Sequence, residues 1–131
     1  AACSGGAVLG APLAHDFAVI SLSDLLTPWD TIVKRLRCAG EGDFVITLYN
    51  PKSKGREGHL KKAVDILLEY RKADTPVGIV RNAGREGKER RITTLRDIDY
   101  DFVDMKTVLI IGNDSTYRKG DRIITPRGYR F

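Results

Sequence analysis

The chain has 131 residues, of which 42% are hydrophobic and 30% are charged, and its formal net charge is +5. These values are ordinary for one globular domain with a buried core, and they argue against a disordered chain. No apolar run approaches the roughly 18 residues that a membrane-spanning helix needs. The positive balance favours acidic partners, such as nucleic acid, acidic lipid or a small substrate with several carboxylates.

The first half of the chain predicts two strand–helix units. Asp16–Asp24 is apolar and β-branched, which indicates a strand, and a helix follows over Pro28–Ala39. Thr27 is predicted to cap this helix, with the proline at its first position. Asp43–Tyr49 is a near-continuous apolar run, typical of a buried strand. Gly58–Arg71 carries one apolar stripe at helical spacing and predicts the second helix.

The second half predicts three more strands and a short closing one. The three are Thr75–Val80, Arg90–Leu95 and Thr107–Gly112, and a short strand or turn is expected near Ile123–Thr125. The segment between the third and fourth strands is too short for a crossover helix, so these two strands should form a hairpin. The first three strands can pair in parallel through their helices. The predicted fold class is therefore α/β, a mixed five-stranded sheet flanked by helices.

Small or polar residues follow several of the predicted strands. Tyr49–Pro51 leaves the second strand, Asn82–Gly84 leaves the third, and Thr93–Thr94 lies near the end of the fourth. Ligands of α/β sheets bind beyond the carboxyl ends of strands, and such a lining suits a planar ligand with amide-like edges, for example an adenine. Ordinary turns are the alternative. No hydrolytic triad, metal cluster or catalytic acid or base can be assembled: His15 is expected in a structural hydrogen bond and His59 in solvent.

Six segments, in order, carry a resemblance that runs from about Gly10 to Tyr129: GAPLAHDFAVISLSDLLTPWDTI, DFVITLYNPKSKGR, TPVGIVRNAGR, ITTL, TVLIIGN and ITPRGY. They resemble the C-terminal domain of the tetrapyrrole methylase family, in its branch of cobalamin biosynthesis that methylates C17. LYNPKSKGR together with ITPRGY is specific to this branch. The resemblance implies that residues 1–10 are a remnant of a preceding N-terminal domain and that residues 11–131 are the C-terminal α/β domain.

The resemblance also implies a cofactor, S-adenosylmethionine, held between two domains, with the acidic tetrapyrrole in an adjoining trough. The residues that it implies for the cofactor are Tyr49, Asn50, Asn82, Ala83, Gly84, Thr94 and Leu95. Those that it implies for the substrate are Ser23, Asp24, Lys52, Ser53, Arg56 and Arg85. The cationic members of this second group suit substrate carboxylates.

Two hypotheses of function follow. By resemblance, the protein transfers a methyl group from S-adenosylmethionine to C17 of precorrin-3B or its cobalt form, with ring contraction, as a cytoplasmic homodimer without membrane or nucleic-acid partners. This chain alone is expected to be inactive, because the other domain completes the cofactor site. The alternative is a basic nucleic-acid-binding module that uses Arg81–Arg91, which would show a steep salt dependence of binding. Against it, aromatic residues do not alternate with the basic runs.

Overall fold

The computed structural model describes residues 10–11, 16–51, 58–81 and 89–126. Its helices and strands follow the predicted order, with short additional strands at both ends. They are β1 (Gly10–Ala11), β2 (Phe17–Ser21), α1 (Trp29–Glu41), β3 (Val45–Tyr49), α2 (His59–Leu67), β4 (Pro76–Arg81), β5 (Glu89–Thr94), β6 (Thr107–Ile111), β7 (Tyr117–Lys119) and β8 (Arg122–Ile124).

Five of the strands form the main sheet, in the order β2-β3-β6-β4-β5. β2 and β3 are parallel, β6 lies antiparallel between β3 and β4, and β5 pairs antiparallel with β4. The strands β2, β3 and β4 therefore run in one direction, and β5 and β6 run in the other. This arrangement confirms the predicted mixed five-stranded sheet and the predicted hairpin between the third and fourth strands. Parallel pairing of the first three strands is confirmed only for β2 and β3, because β6 lies between β3 and β4.

The main sheet buries a different core on each face. The larger core lies under the two helices, whose buried side chains follow helical spacing, as Leu60, Val64 and Leu67 do on α2. The opposite face carries a smaller core that is covered by Ile123 of β8. β8 belongs to a second sheet of order β1-β8-β7. The short strand predicted near this position is confirmed, whereas the two- and three-residue strands β1 and β7 were not predicted.

The helix ends differ from the prediction in two places. α1 begins at Trp29, because Pro28 is extended (φ −56°, ψ 143°) and is itself the N-cap residue, its carbonyl accepting the N–H groups of Thr31 and Ile32. The predicted capping role of Thr27 is therefore wrong. α2 ends at Leu67, four residues earlier than predicted. The chain then turns, and this turn brings the side chain of Arg71 into the interior.

The buried side chain of Arg71 links three chain segments at one end of the main sheet. Its side chain is fully buried, and its guanidinium donates to three main-chain carbonyls: Gly112 at 2.6 Å, Phe44 at 2.7 Å and Ala39 at 3.3 Å. The Asp43 carboxylate lies 3.7 Å from its Nε. Burial lowers the pKa of Arg71, although the neighbouring carboxylates oppose this effect. The contacts join the end of α1, the start of β3 and the end of β6.

Candidate functional site

The chemistry-bearing residues gather where β2, β3 and β4 end and where β5 and β6 begin. This carboxyl edge is defined by the strand register, in which Ser21 lies opposite Tyr49, and Arg81 opposite both Glu89 and Thr107. Parallel strands with crossover helices place their carboxyl ends together, and ligands of such sheets bind there. The carboxyl edge is therefore the candidate site.

A hydrogen-bonded network joins the ends of β2 and β3. The Asn50 side-chain amide donates to the hydroxyl of Ser21 at 3.1 Å, and the same hydroxyl accepts the N–H of Ser23 at 3.2 Å. The N–H of Leu22 continues the ladder to the carbonyl of Tyr49 at 3.0 Å. Asn50 has a positive φ of 52°, which asparagine tolerates better than most residues. The chain can thus turn away sharply after Tyr49 and leave an exposed amide at the edge.

A second cluster fixes the segment after β2 to the start of α2. The His59 ring lies with its Nδ1 3.2 Å from the carbonyl of Leu22 and its Nε2 3.7 Å from Asp24 Oδ2. Because a carbonyl only accepts, Nδ1 carries a proton in this contact. The indole of Trp29 stacks on the imidazole, with ring centroids 4.4 Å apart. The His59 side chain is only 15% exposed, so the expectation of a solvated histidine is wrong.

On the β4–β5 side of the carboxyl edge, two arginine side chains contact one aromatic ring. Arg81 forms an ion pair with Glu89, at 2.5 Å. The guanidinium groups of Arg81 and Arg91 lie 4.2 and 4.0 Å from the ring centroid of Phe102, within the range of cation–π contacts. Arg81 is the last residue of β4, so this cluster fixes the point from which the chain enters residues 82–88.

The thirteen candidate residues fall into three groups: four at the carboxyl edge, seven outside the described residues and two at the opposite edge. Ser23, Asp24, Tyr49 and Asn50 lie together at the carboxyl edge. Seven further candidates lie outside the described residues, in the segments 52–57 and 82–88: Lys52, Ser53, Arg56, Asn82, Ala83, Gly84 and Arg85. Their assignments stay predictions. The first segment follows Pro51, which lies two residues after the end of β3, and the second follows Arg81, the last residue of β4.

Thr94 and Leu95 lie at the opposite edge, away from Tyr49 and Asn50. Thr94 ends β5 and pairs with Pro76, the first residue of β4. The expectation that these residues share an edge with the other cofactor candidates is wrong, because β5 runs antiparallel to β4 and its end meets the start of β4. The Leu95 side chain is fully buried in the larger core, and its N–H donates to the carbonyl of Thr75 at 2.9 Å.

Thr94 has a local structural partner at this opposite edge. Its hydroxyl donates to Asp97 Oδ2 at 3.0 Å. This hydrogen bond, with a smaller contribution from Arg96, lowers the pKa of Asp97 below its ordinary value. A contact of Thr94 or Leu95 with a cofactor stays a prediction, but the fold accounts for both side chains without one.

Three residues at the carboxyl edge were missed by the sequence predictions: His59, Trp29 and Thr107. The sequence places both His59 and Trp29 at the starts of predicted helices. In the structure, His59 lies beside Asp24, and Trp29 stacks on His59. Thr107 begins β6, and its buried hydroxyl donates to Asp104 Oδ1 and accepts the Asp104 N–H, both at 2.8 Å. A signal for Thr107 was available, since an antiparallel strand that enters the sheet begins where its parallel neighbours end.

Among the residues that the structure describes, no group of three or more histidine, cysteine, aspartate and glutamate side chains is placed to hold a metal ion. None of their helices combines the length and the apolar character that crossing a membrane would require.

Comparison with known proteins gives consistent matches. The model of the tetrapyrrole (corrin/porphyrin) methylases matches residues 1–99. A probable cobalt-factor III C(17)-methyltransferase of Salmonella typhimurium is 55% identical over 129 residues, which cover 98% of this chain and 54% of that protein. A precorrin-3B C(17)-methyltransferase of a Sinorhizobium species is 45% identical, covering 92% of this chain and 50% of that protein. The chain thus spans about half the length of the curated relatives it matches.

Solved structures agree in fold. The crystal structure of the methyltransferase CobJ superposes with a TM-score of 0.90 at 37% identity, covering 96% of this chain and 53% of that one. A uroporphyrin-III C-methyltransferase from Thermus thermophilus, complexed with S-adenyl homocysteine, superposes with a TM-score of 0.55 at 18% identity, covering 84% and 48%. This second likeness shows the fold alone. The family model, the identities and the fold agree, and the chain belongs to the tetrapyrrole (corrin/porphyrin) methylases.

Proposed function

We propose that this chain is part of an S-adenosylmethionine-dependent C-methyltransferase of cobalamin biosynthesis, which methylates C17 of precorrin-3B or its cobalt form with ring contraction. The observation that carries the proposal is 45–55% identity, over 92–98% of the chain, to relatives named for the C17 reaction. The same match favours this reaction over the nucleic-acid-binding alternative. The chain corresponds to about half of each relative, so it supplies about half of the catalytic machinery.

The carboxyl edge fits the adenosine part of the cofactor. Tyr49 is half-buried and offers an aromatic side chain, and Asn50 offers an exposed amide in a turn that the Ser21 hydroxyl holds in place. Asn82–Gly84 follows β4 in sequence, and its small residues are proposed to let a ligand approach the main chain. Such neutral groups can bind an adenine edge by hydrogen bonds and stacking. When bound, the cofactor supplies an electrophilic methyl group, and these residues position it.

The tetrapyrrole is proposed to lie beside the cofactor, against the basic segments of the carboxyl edge. Lys52 and Arg56 follow β3 in sequence, and Arg85 follows β4, and these cations are proposed to bind carboxylates of the substrate. Ser53 is proposed to contact the same groups. Ser23 and Asp24 are held at the edge by the contact of Asp24 with His59, and they are proposed to face the polar parts of the macrocycle.

The first experiment transplants this chain into a relative. In a chimaera, residues 1–131 replace the matching region of the Salmonella protein, and transfer of labelled methyl from S-adenosylmethionine to precorrin-3B or its cobalt form is followed. We expect the chimaera to methylate C17, and this chain alone to give no measurable transfer, because positioning by a complete site accounts for about 7–11 kcal/mol of a barrier. A folded chimaera that binds S-adenosylhomocysteine but methylates another carbon, or none, would contradict the proposal.

A matched pair of variants tests the site itself. Asn50 and Asp43 both have positive φ, 52° and 57°, but they lie at opposite edges of the sheet. Replacing either by alanine introduces similar backbone strain, whereas only Asn50→Ala removes a group from the candidate cofactor site. In the chimaera we expect Asn50→Ala to weaken S-adenosylhomocysteine binding and Asp43→Ala to leave it unchanged. Equal effects of the two variants would remove Asn50 from the site.

The resemblance also supports two proposals, one about the location of the protein and one about its assembly. The protein is proposed to act in the cytoplasm, where cobalamin intermediates would be its partners, and as a homodimer. The state of assembly is measured directly by analytical ultracentrifugation, and a monomer at working concentrations would contradict the second proposal.

A further inference from the structure

His59 is the first residue of α2, but its side chain serves a different part of the chain. The N-terminus of a helix carries the positive end of the helix dipole, so a basic side chain there brings the helix no electrostatic gain. The imidazole extends instead to the segment after β2, where Nδ1 lies 3.2 Å from the carbonyl of Leu22 and Nε2 lies 3.7 Å from Asp24 Oδ2. The segment that this histidine holds, rather than the helix that it begins, therefore accounts for its position.

Two further contacts fix the orientation of the His59 ring. The carbonyl of Leu22 takes the proton of Nδ1, which leaves Nε2 as the nitrogen that faces Asp24. The indole of Trp29, the first residue of α1, stacks on the ring with an interplanar angle of 25°. The first residues of both helices thus meet beside the segment after β2. A ring held by a carbonyl and an indole points its Nε2 in one direction, and this direction sets where the Asp24 carboxylate meets it.

Asp24 differs in chemistry from the other candidate residues. It is the only acidic side chain among the thirteen, whereas Lys52, Arg56 and Arg85 are cations. A carboxylate repels the carboxylates of the proposed substrate and only accepts hydrogen bonds, so it selects an N–H or O–H group. A tetrapyrrole offers N–H groups on its pyrrole rings. The Asp24 side chain is 30% exposed, so a ligand can reach it while His59 holds it.

We infer that His59 is a positioning residue for the substrate: it holds the Asp24 carboxylate where this carboxylate accepts a hydrogen bond from an N–H or O–H group of the macrocycle. The inference rests on the proposed function and deepens it, because an acid at one point and cations at another give the macrocycle one preferred orientation. His59 itself does not touch the substrate in this arrangement. Its 3.7 Å separation from Asp24 is longer than a hydrogen bond, and such contacts often shorten when the ligand binds.

Two substitutions separate the two contacts of His59. In His59→Asn the side-chain amide takes the place of Nδ1, so it reaches the Leu22 carbonyl but not Asp24. In His59→Gln the longer amide takes the place of Nε2, so it reaches Asp24 but not the Leu22 carbonyl. Lys62→Asn is the control, because it places an asparagine at an exposed position of the same helix. All of these variants are made in the chimaera described above, which contains both halves of the protein.

The experiment measures two affinities for each variant. Binding of precorrin-3B or its cobalt form is titrated by absorbance, and binding of S-adenosylhomocysteine is titrated by calorimetry. We expect His59→Asn to weaken tetrapyrrole binding about tenfold, His59→Gln to restore most of it, and Lys62→Asn to bind like the wild type. S-adenosylhomocysteine should bind all of them equally, because the hydrogen bond between Asn50 and Ser21 does not involve the His59 ring.

A double-variant cycle shows whether His59 acts through Asp24. Asp24→Ala alone should weaken tetrapyrrole binding, and adding His59→Asn to it should cause no further loss, because the group that His59 positions is already absent. Additive losses would contradict the inference. If His59→Asn does not fold, His59→Gln and Asp24→Ala decide the question: the first should bind the tetrapyrrole nearly like the wild type and the second should not, and the reverse order would overturn the inference.

Two results in the single variants would also overturn the inference. One is a folded His59→Asn protein that binds the tetrapyrrole like the wild type. The other is an equal loss of tetrapyrrole and S-adenosylhomocysteine binding, which would indicate a general structural role for His59. Neither measurement requires methyl transfer. A chimaera that binds the tetrapyrrole without methylating C17 would refute the proposed function while the cycle still decides the role of His59, and a chimaera that binds no tetrapyrrole would refute both.

Discussion

Replacing Arg71 by methionine should destabilise the fold, although Arg71 lies far from the carboxyl edge. The side chain is fully buried and donates to the carbonyls of Ala39, Phe44 and Gly112. Methionine fills much of the same volume but donates no hydrogen bond, so the carbonyls of Phe44 and Gly112 lose this donor, whereas the carbonyl of Ala39 still accepts the N–H of Phe44 at 3.1 Å. Asp43 is 43% exposed and can be solvated after the change, so it adds little to the cost.

The magnitude follows from the two short hydrogen bonds. A hydrogen bond to a charged group contributes about 1.5–3 kcal/mol, and a buried acceptor left without a partner costs about 1–3 kcal/mol. The third contact, at 3.3 Å, is longer and adds less. Because methionine restores apolar packing and removes a buried charge, we expect Arg71→Met to lower the free energy of unfolding by about 3 kcal/mol. For a chain of this size, this corresponds to a fall of about 10 °C in melting temperature.

The assay is urea denaturation, followed by circular dichroism and tryptophan fluorescence of the single tryptophan, Trp29. Arg71→Lys should lie between the wild type and the methionine variant, because one ammonium group cannot bridge three separated carbonyls. Arg37→Met is the control, since the ion pair of Arg37 with Glu69 is exposed on both sides and should have little effect. An Arg71→Met protein as stable as the wild type would show that the carbonyls that lose this donor find other partners.

Three further results are expected. Gly112→Ala should destabilise the chain by about 1–3 kcal/mol in the same assay, because a Cβ would lie 2.6 Å from a neighbouring side chain, whereas Gly58→Ala, with open space at its Cβ, should be tolerated. Thr94→Val should raise the pKa of Asp97, measured by NMR titration of its carboxyl, and an unchanged titration would refute the hydrogen bond. In the wild type, the lowered pKa of Asp97 stabilises the fold at pH values above the ordinary carboxyl pKa, and this contribution is lost as the pH falls through the lowered pKa of the folded state. Asn82→Asp, in a protein with both halves of the cofactor site, should weaken S-adenosylmethionine binding roughly five- to 150-fold by calorimetry, and equal affinities would mean that its side chain does not touch the cofactor.

The sequence predicted the main sheet well because its signals are local and strong. The buried strand Val45–Tyr49 and the amphipathic stripe of α2 are encoded in consecutive residues, and the short β4–β5 connection leaves only a hairpin. The helix ends were less predictable. The end of α2 depends on Arg71, whose carbonyl partners come from segments 27 to 41 residues away in sequence.

The sequence named candidate site residues that the fold places at both edges of the sheet, and this division has a geometric cause. Tyr49 and Asn50 lie beside Ser23 and Asp24, because all four follow parallel strands, and their contact with a ligand stays a prediction. Thr94 was grouped with them since it also ends a strand, but the end of an antiparallel strand lies at the other edge. His59 could not be found from sequence, because its partners are a carbonyl and a carboxylate more than 30 residues away.

The polar groups at the two edges of the main sheet differ in their hydrogen-bond partners. At the edge opposite the candidate site, polar groups bind one another: Arg71 takes three carbonyls, Thr94 takes Asp97, and Leu95 continues the main-chain ladder. Among the described residues, these polar groups therefore already have partners within the chain. At the carboxyl edge, Asn50 stays exposed and two basic segments begin.

Side-chain contacts tie the carboxyl edge to neighbouring elements, which suits the cofactor site proposed there. Asn50 is tied to Ser21, and the segment after β2 is tied to α2 through His59. Fixed anchors lower the entropy that is lost when a ligand or a second domain is bound. We propose that the carboxyl edge forms one wall of the cofactor site; the chain spans about half the length of the curated relatives it matches, and the remaining half of such a relative would supply the opposite wall.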